Sequence, residues 1–223
     1  MDFALVRRLD ELAARALPAH FVQELDGWRL RHQPLTVIRR ANSVWPADHG
    51  AMPMAEKLVA VEHFYRSRKL LPSYQISPAS RPSNLDAVLQ ERGYSLETPT
   101  LVQVADLSHD RGSSAADLHR VTVLDAPTER WLAANSEVQN LGPSEADARS
   151  EILGAIGSKA AYAVVDRAGR PTAVGRAVLE DDWVGIFGMG THPSQRRKGA
   201  ATSVLLALRR WGQERGARRA YLQ

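Results

Sequence analysis

The sequence predicts the α/β (α+β) class, with helices and strands interspersed along the chain and divided between two domains. Three observations carry this. Helical and strand periodicities follow one another through both halves. A polar, small-residue stretch at 107–117 breaks the pattern near the middle. The 223 residues include 44% hydrophobic residues and no cysteine, so packed cores and not disulfides must hold the fold.

In the first half, Leu5, Leu9, Leu12 and Leu17 recur near one face of a helix over 3–17, which Pro18 ends. Trp28 and Leu30 alternate with Arg29 and Arg31 as in a strand. A second extended run leads from Val37-Ile38 to Val44-Trp45 and stops at Pro46. Met54, Leu58, Val61 and Tyr65 mark a helix from Pro53 to Leu70, with proline at a first-turn position. Residues Ser73 to Ser77 read as a short strand. Asn84 to Arg92 read as a helix stopped by Gly93, and two extended pieces follow at Tyr94–Glu97 and Thr100–Asp106.

In the second half, Leu118 to Leu124 reads as a strand. Pro127 to Glu137 and Ser144 to Ile156 read as helices, with Ser144 as an N-cap ahead of Glu145 and Asp147. Strands at Ala161–Val165 and Thr172–Leu179 flank the turn Asp166-Arg167-Ala168-Gly169. Asp181-Asp182 makes the next turn and leads into a strand from Trp183 to Thr191. A long helix runs from near Arg196 to Arg215, Gly216 ends it, and Arg218 to Leu222 form a last strand.

The stretch from Gly185 to Ala201 carries the chemistry. A strand runs into His192-Pro193-Ser194 and then Gln195-Arg196-Arg197-Lys198-Gly199-Ala200-Ala201 at the start of a helix. A helix N-terminus exposes amide N–H groups and carries partial positive charge. Small residues let a ligand approach the backbone, and Arg196, Arg197 and Lys198 add cationic charge. The combination suits a pyrophosphate. It lacks the Gly-Lys-Ser/Thr of a nucleotide P-loop. Gly188 and Gly190 lie inside the strand, with no third glycine placed to complete a dinucleotide fingerprint.

This stretch resembles motif A of the GNAT superfamily of acyl-CoA-dependent N-acyltransferases, whose pattern Gln/Arg-x-x-Gly-x-Gly/Ala is matched by Arg196, Gly199 and Ala201. The element order over 118–223 is also similar. The resemblance implies a mixed, mostly antiparallel sheet flanked by helices. It implies acetyl-CoA as acyl donor co-substrate, a primary amine as acceptor, and direct attack in a ternary complex. Met189, Gly190 and Thr191 would then lie along the pantetheine arm. Arg196, Arg197, Lys198, Gly199, Ala200 and Ala201 would hold the pyrophosphate.

With no cysteine, an acyl-cysteine intermediate is excluded. Direct attack needs a base, an oxyanion donor and an acid for the thiolate. Family members often place a glutamate on the strand before the loop, but Trp183–Thr191 has no carboxylate. Glu180, at the strand's start, and Glu137, at a helix end, are the candidate bases; a turn role competes for Glu180. Tyr221 is the candidate acid, with core packing as its competing role. Acceptor specificity is expected from the loops at 138–144 and 180–182 and from the first domain.

The segment Leu85 to Tyr94 also resembles the late helix of such a domain. The loop Ala47 to Met52 lacks the basic glycine pattern. Residues 1–106 are therefore expected to form a degenerate GNAT-like domain without a CoA site, 107–117 a linker, and 118–223 the acyl-CoA domain, lacking the family's last helix and strands. Three explanations for those elements stay open: a longer parent protein, a second chain as in a homodimer, or cover from the first half. The first two are preferred.

Net charge is +4, carried almost wholly by arginine; Lys57, Lys69, Lys159 and Lys198 are the only lysines. Phosphate-bearing partners suit that balance. A nucleic-acid reader is not expected, since no basic patch interleaved with aromatics is present. No apolar run reaches the roughly 20 residues of a membrane span, and the N-terminus does not read as a secretory signal. A cytoplasmic protein is expected. No metal site is expected, with His192 read as part of the loop. A CoA-binding module without catalysis is the alternative function.

Overall fold

The computed structural model describes residues 1–34, 38–108 and 119–223. The chain divides into two compact units, Met1–Pro99 and Thr100–Gln223. The boundary thus falls ahead of the one expected at 106, and residues 109–117 of the expected linker lie outside the described residues.

In the first unit, α1 (Phe3–Arg15) starts where the Asp2 side chain accepts from the Leu5 amide. Strands β1 (Phe21–Leu25), β2 (Trp28–His32) and β3 (Val44–Trp45) form an antiparallel sheet in that order. The extended run expected through 38–45 is broken. Arg39–Ala41 is a 3-10 turn closed by the Ala41 amide on the Ile38 carbonyl, and Val37 lies outside the described residues. After β3 come α2 (Met54–Arg66) and then a single parallel bridge from Val44 to Tyr74, in place of the expected strand at 73–77. Helix α3 (Leu85–Glu91) ends at Gly93. Trp28, Leu30, Val44, Leu58, Val61, Tyr65 and Leu85 form this unit's core.

In the second unit, strands β4 (Gln103–Asp106), β5 (Val121–Leu124), β6 (Ala160–Arg167), β7 (Arg170–Glu180), β8 (Trp183–Thr191) and β9 (Arg219–Leu222) make one mixed sheet. Their order is β4-β9-β8-β7-β6-β5, antiparallel except for β8 with β9. Residues Gln103–Asp106, expected in the first half, instead pair with β9. The outer side of β9 is therefore covered by a segment preceding the second half, the least preferred of the three explanations.

Helices α4 (Glu129–Gln139) and α5 (Pro143–Gly154) lie between β5 and β6 in sequence. Gly142, not Ser144, is the N-cap of α5, because Pro143 already fits the first helical position. Helix α6 (Ala200–Glu214) begins four residues later than expected. Arg197 and Gly199 both have left-handed backbones (φ 61° and 83°), which a right-handed helix does not admit. Val204 and Leu208 of α6 pack with Ala161, Ala163, Ala177, Val184 and Ile186 into the main core. Among the described residues no helix is long and apolar enough to cross a membrane.

Candidate functional site

The site grows from an irregularity in β8. Along the β7–β8 ladder, Arg176 pairs with Phe187 and Val174 with Gly190, so two residues of β8 oppose one of β7. This is a β-bulge. It centres on Gly188, whose φ of 58° suits glycine in a strand. The C-terminal end of α4 presses on it. A Cβ at Gly190 would sit 2.9 Å from Val138 Cγ1, so only glycine fits there without a shift.

On its other side, β8 pairs with β9 only from Trp183 to Ile186. Beyond Ile186 the two strands are not joined, and a groove of about 460 Å³ opens. Met189, Ala201, Leu205, Leu222 and Leu101 give it an apolar lining, with Gln103 and Thr202 beside them. Its wall thus combines the end of β8 with the first turns of α6. An apolar slot beside a free strand edge suits a thin chain that carries amides.

The loop from β8 to α6 ends at Gly199, the N-cap of α6, and among the described residues no side chain caps the helix. Its first-turn amides have no intrahelical acceptor. The loop is held from within. Lys198 Nζ donates to the Ser194 carbonyl at 2.9 Å, Arg196 Nε to the Thr191 carbonyl at 3.4 Å, and His119 Nε2 lies 2.6 Å from the Lys198 carbonyl. His192 Nδ1 lies 2.9 Å from Ser194 Oγ, which makes it a loop-forming residue. Lys198 and Arg196 therefore brace the loop as well as charging it. Arg197 is exposed.

The expected donor-binding residues are thus brought together. Met189, Gly190 and Thr191 lie at the end of β8, and Arg196 to Ala201 form the loop and helix start beside it. The expected catalytic residues are not brought together. Glu180 ends β7 opposite Trp183, ion-paired with Lys159 at 3.2 Å. It stands seven residues along β7 from the partner of Thr191, about 23 Å away at strand rise. Glu137 is exposed on α4, turned about 100° from Val138. Tyr221 is 3% exposed, and its ring meets Trp183 and Phe187 edge-on at 6.2 and 5.5 Å. A Cβ at Gly185 would fall 2.5 Å from that ring, so Tyr221 is built into the sheet face.

Other groups surround the bulge. Gln139 Nε2 donates to the Gly188 carbonyl at 3.2 Å and to Asn135 Oδ1 at 2.6 Å, while its Oε1 accepts from Arg149 Nη1 at 3.3 Å. Asn135 is 2% exposed. Arg176 is buried with its guanidinium carbon 4.7 Å from the Phe187 ring centroid. It shares a row with Tyr162, whose hydroxyl donates to the Leu153 carbonyl at 2.9 Å and is pushed up in pKa by burial. The alternation of β7 held a signal for Arg176, a charge at the same parity as Val174 and Val178. Gln139 gave none, because it lies past the expected end of its helix.

Residues 4–223 match the family model described as "Probable histone acetyltransferase Rv0428c C-terminal". The "Uncharacterized N-acetyltransferase YobR" of Bacillus subtilis is 28% identical over 98% of this chain and 87% of that protein. The "Probable histone acetyltransferase Rv0428c" of Mycobacterium tuberculosis is 30% identical over 99% of this chain and 66% of that protein. Among solved structures, a GCN5-related N-acetyltransferase from Kribbella flavida superimposes with a TM-score of 0.72. It covers 97% of this chain and 84% of its own at 16% identity, a likeness of fold.

Proposed function

We propose that this chain, which belongs to the family of the Rv0428c C-terminal model and with it to the GNAT superfamily of acetyltransferases, transfers an acetyl group from acetyl-CoA to a primary amine by direct attack in a ternary complex. The observation that carries the reading is one continuous surface: a glycine bulge in β8, an apolar groove beside it, and the uncapped N-terminus of α6 at its end.

On this reading the pyrophosphate lies against the amides of residues 197–201, and Arg197 adds charge at short range. The pantetheine arm runs in the groove along Met189 and Thr191. The thioester reaches the bulge, where the amine nitrogen attacks its carbonyl carbon. The C–N bond forms, the C–S bond breaks, the amine gives up its proton, and the CoA thiolate takes one. Alignment of the two reactants accounts for a large part of such an acceleration. Water is the proton carrier this reading assigns, since Glu180, Glu137 and Tyr221 do not converge on the bulge. The first unit is read as a GNAT-like domain that no longer binds CoA.

That same lack of convergence favours a second reading, a CoA-binding module without turnover. Calorimetric titration with acetyl-CoA, beside the double variant Arg196→Ala/Gly199→Glu, tests the donor site. Thiol release across a panel of amines, lysine-bearing peptides included, separates the two readings. Binding that the variant loses, with thiol release, supports the enzyme. Binding without release from any amine supports the module. No binding by the folded chain rejects both.

A further inference from the structure

We infer that Gln139 is a positioning residue for acetyl transfer: it clamps the Gly188 carbonyl and so aims the Met189 amide N–H into the groove. The inference rests on the proposed function and deepens it at one atom.

A trans peptide unit is planar, with its C=O and N–H pointing in opposite directions. Whatever holds the Gly188 carbonyl therefore sets the direction of the Met189 N–H. In a regular ladder that job falls to the neighbouring strand. Here the bulge takes Gly188 out of the β7 ladder, and β9 pairs with β8 only through Ile186. Gln139 supplies the missing partner at 3.2 Å from the α4 side. The opposite direction leads away from α4, toward the face where Met189 meets α6 and lines the groove.

The clamp is itself fixed. A primary amide has two N–H donors, and Gln139 spends one on Gly188 and the other on Asn135. Arg149 holds its oxygen and is braced in turn by Glu145 at 3.2 Å. A flip of the amide would set its oxygen against two acceptors and its NH2 against a guanidinium, so one orientation is selected. An N–H held this rigidly suits the charge that grows on a thioester oxygen during attack, because it needs no reorganisation at that moment.

The test needs no acceptor. Affinities for acetyl-CoA and for CoA are measured by calorimetry on wild type, Gln139→Leu and Gln139→Glu, and the carbonyl stretch of bound 13C-acetyl-CoA is read by infrared difference spectroscopy. Wild type is expected to favour acetyl-CoA about three- to tenfold, the span of one net hydrogen bond, with the stretch moved to lower frequency. In Gln139→Leu the preference falls to about one and the frequency shift is lost, while CoA still binds, because the pyrophosphate loop is untouched. Gln139→Glu answers the same question if the leucine variant does not fold. Its carboxylate has no proton to donate to Gly188, so preference and shift are absent near neutrality. They return as pH falls into the carboxyl range, a recovery that a purely structural role would not produce. Full preference and shift in either folded variant at neutral pH overturn the inference. Wild type that binds neither ligand overturns the proposed function, and the inference with it.

Discussion

Two strand–helix–strand crossovers in this chain face the same electrostatic demand and meet it differently. In the first unit β3 leads to α2 and returns to a parallel bridge at Tyr74; in the second β8 leads to α6 and returns as β9, also parallel. Ahead of α2, the Asp26 carboxylate accepts from the amides of Ala51 at 2.8 Å and Met52 at 3.0 Å. Lys57, buried against the Trp28 ring, closes on Asp26 at 2.6 Å. These contacts hold the Asp26 carboxyl below the usual carboxylate range, the Lys57 bond first among the causes. Among the described residues neither α2 nor α6 is capped by a side chain, and no carboxylate is bonded to the loop ahead of α6. A site for a negative group at a crossover helix can be filled by the chain's own carboxylate or left to a ligand. In the first unit the carboxylate is held by the loop just ahead of α2, whose own first turn has no side-chain cap; this loop-bound negative charge supports the proposal that the first unit does not bind CoA.

Changes to either crossover sharpen the contrast. The largest effect is expected from Lys57→Ala, which strips the charge partner from Asp26 and the cover from Trp28. The first unit should unfold at clearly lower denaturant in chemical denaturation, while acetyl-CoA affinity stays as it was. Next comes Gly199→Glu, which sets a carboxylate at the start of α6 as Asp26 is set ahead of α2. Acetyl-CoA affinity should fall on the order of 100-fold, about 2.7 kcal/mol, as read by calorimetry. Arg197→Gly should raise the second unit's stability by about 1 kcal/mol by relieving a left-handed residue, with acetyl-CoA affinity lowered for want of the charge.

The smallest change is expected from Asp10→Asn, and it depends on pH. Asp10 is 7% exposed; burial raises its pKa, with bonds from Ser77 and Gln75 acting against the rise. A carboxyl raised on folding favours the folded state below its unfolded pKa and loses that advantage as pH rises. The amide variant should therefore be more stable than wild type at pH 7. The difference should vanish below the ordinary carboxyl value of 3.8. Asp26 titrates in the opposite sense: its contribution is present above the usual carboxylate range and is lost as pH falls through its lowered value.

The arrangement of the proposed donor site was legible because its residues are local in sequence. Helix, loop and strand around Arg196, Gly199 and Ala201 are contiguous, and their residue types state their use. The start of α6 was misjudged because nothing about Arg197 announces a left-handed backbone in sequence. Cover of β9 from the first half was one of three open explanations and not a preferred one, for a different reason: Gln103–Asp106 pair with positions more than a hundred residues away, and pairing leaves no mark on either segment alone. Gln139 was missed because its role depends on a bulge on another element. Asp26 was missed likewise, since a carboxylate in a hairpin turn reads as turn chemistry until the loop of Ala51 and Met52 is placed beside it.

The contrast between the two crossovers is tested most directly by the stoichiometry of acetyl-CoA binding to the whole chain, measured by calorimetry on wild type, Gly199→Glu and Asp26→Asn. One site per chain is expected, weakened on the order of 100-fold by Gly199→Glu and unaltered by Asp26→Asn. A second site in wild type, or wild-type affinity retained by Gly199→Glu in a folded chain, would contradict it.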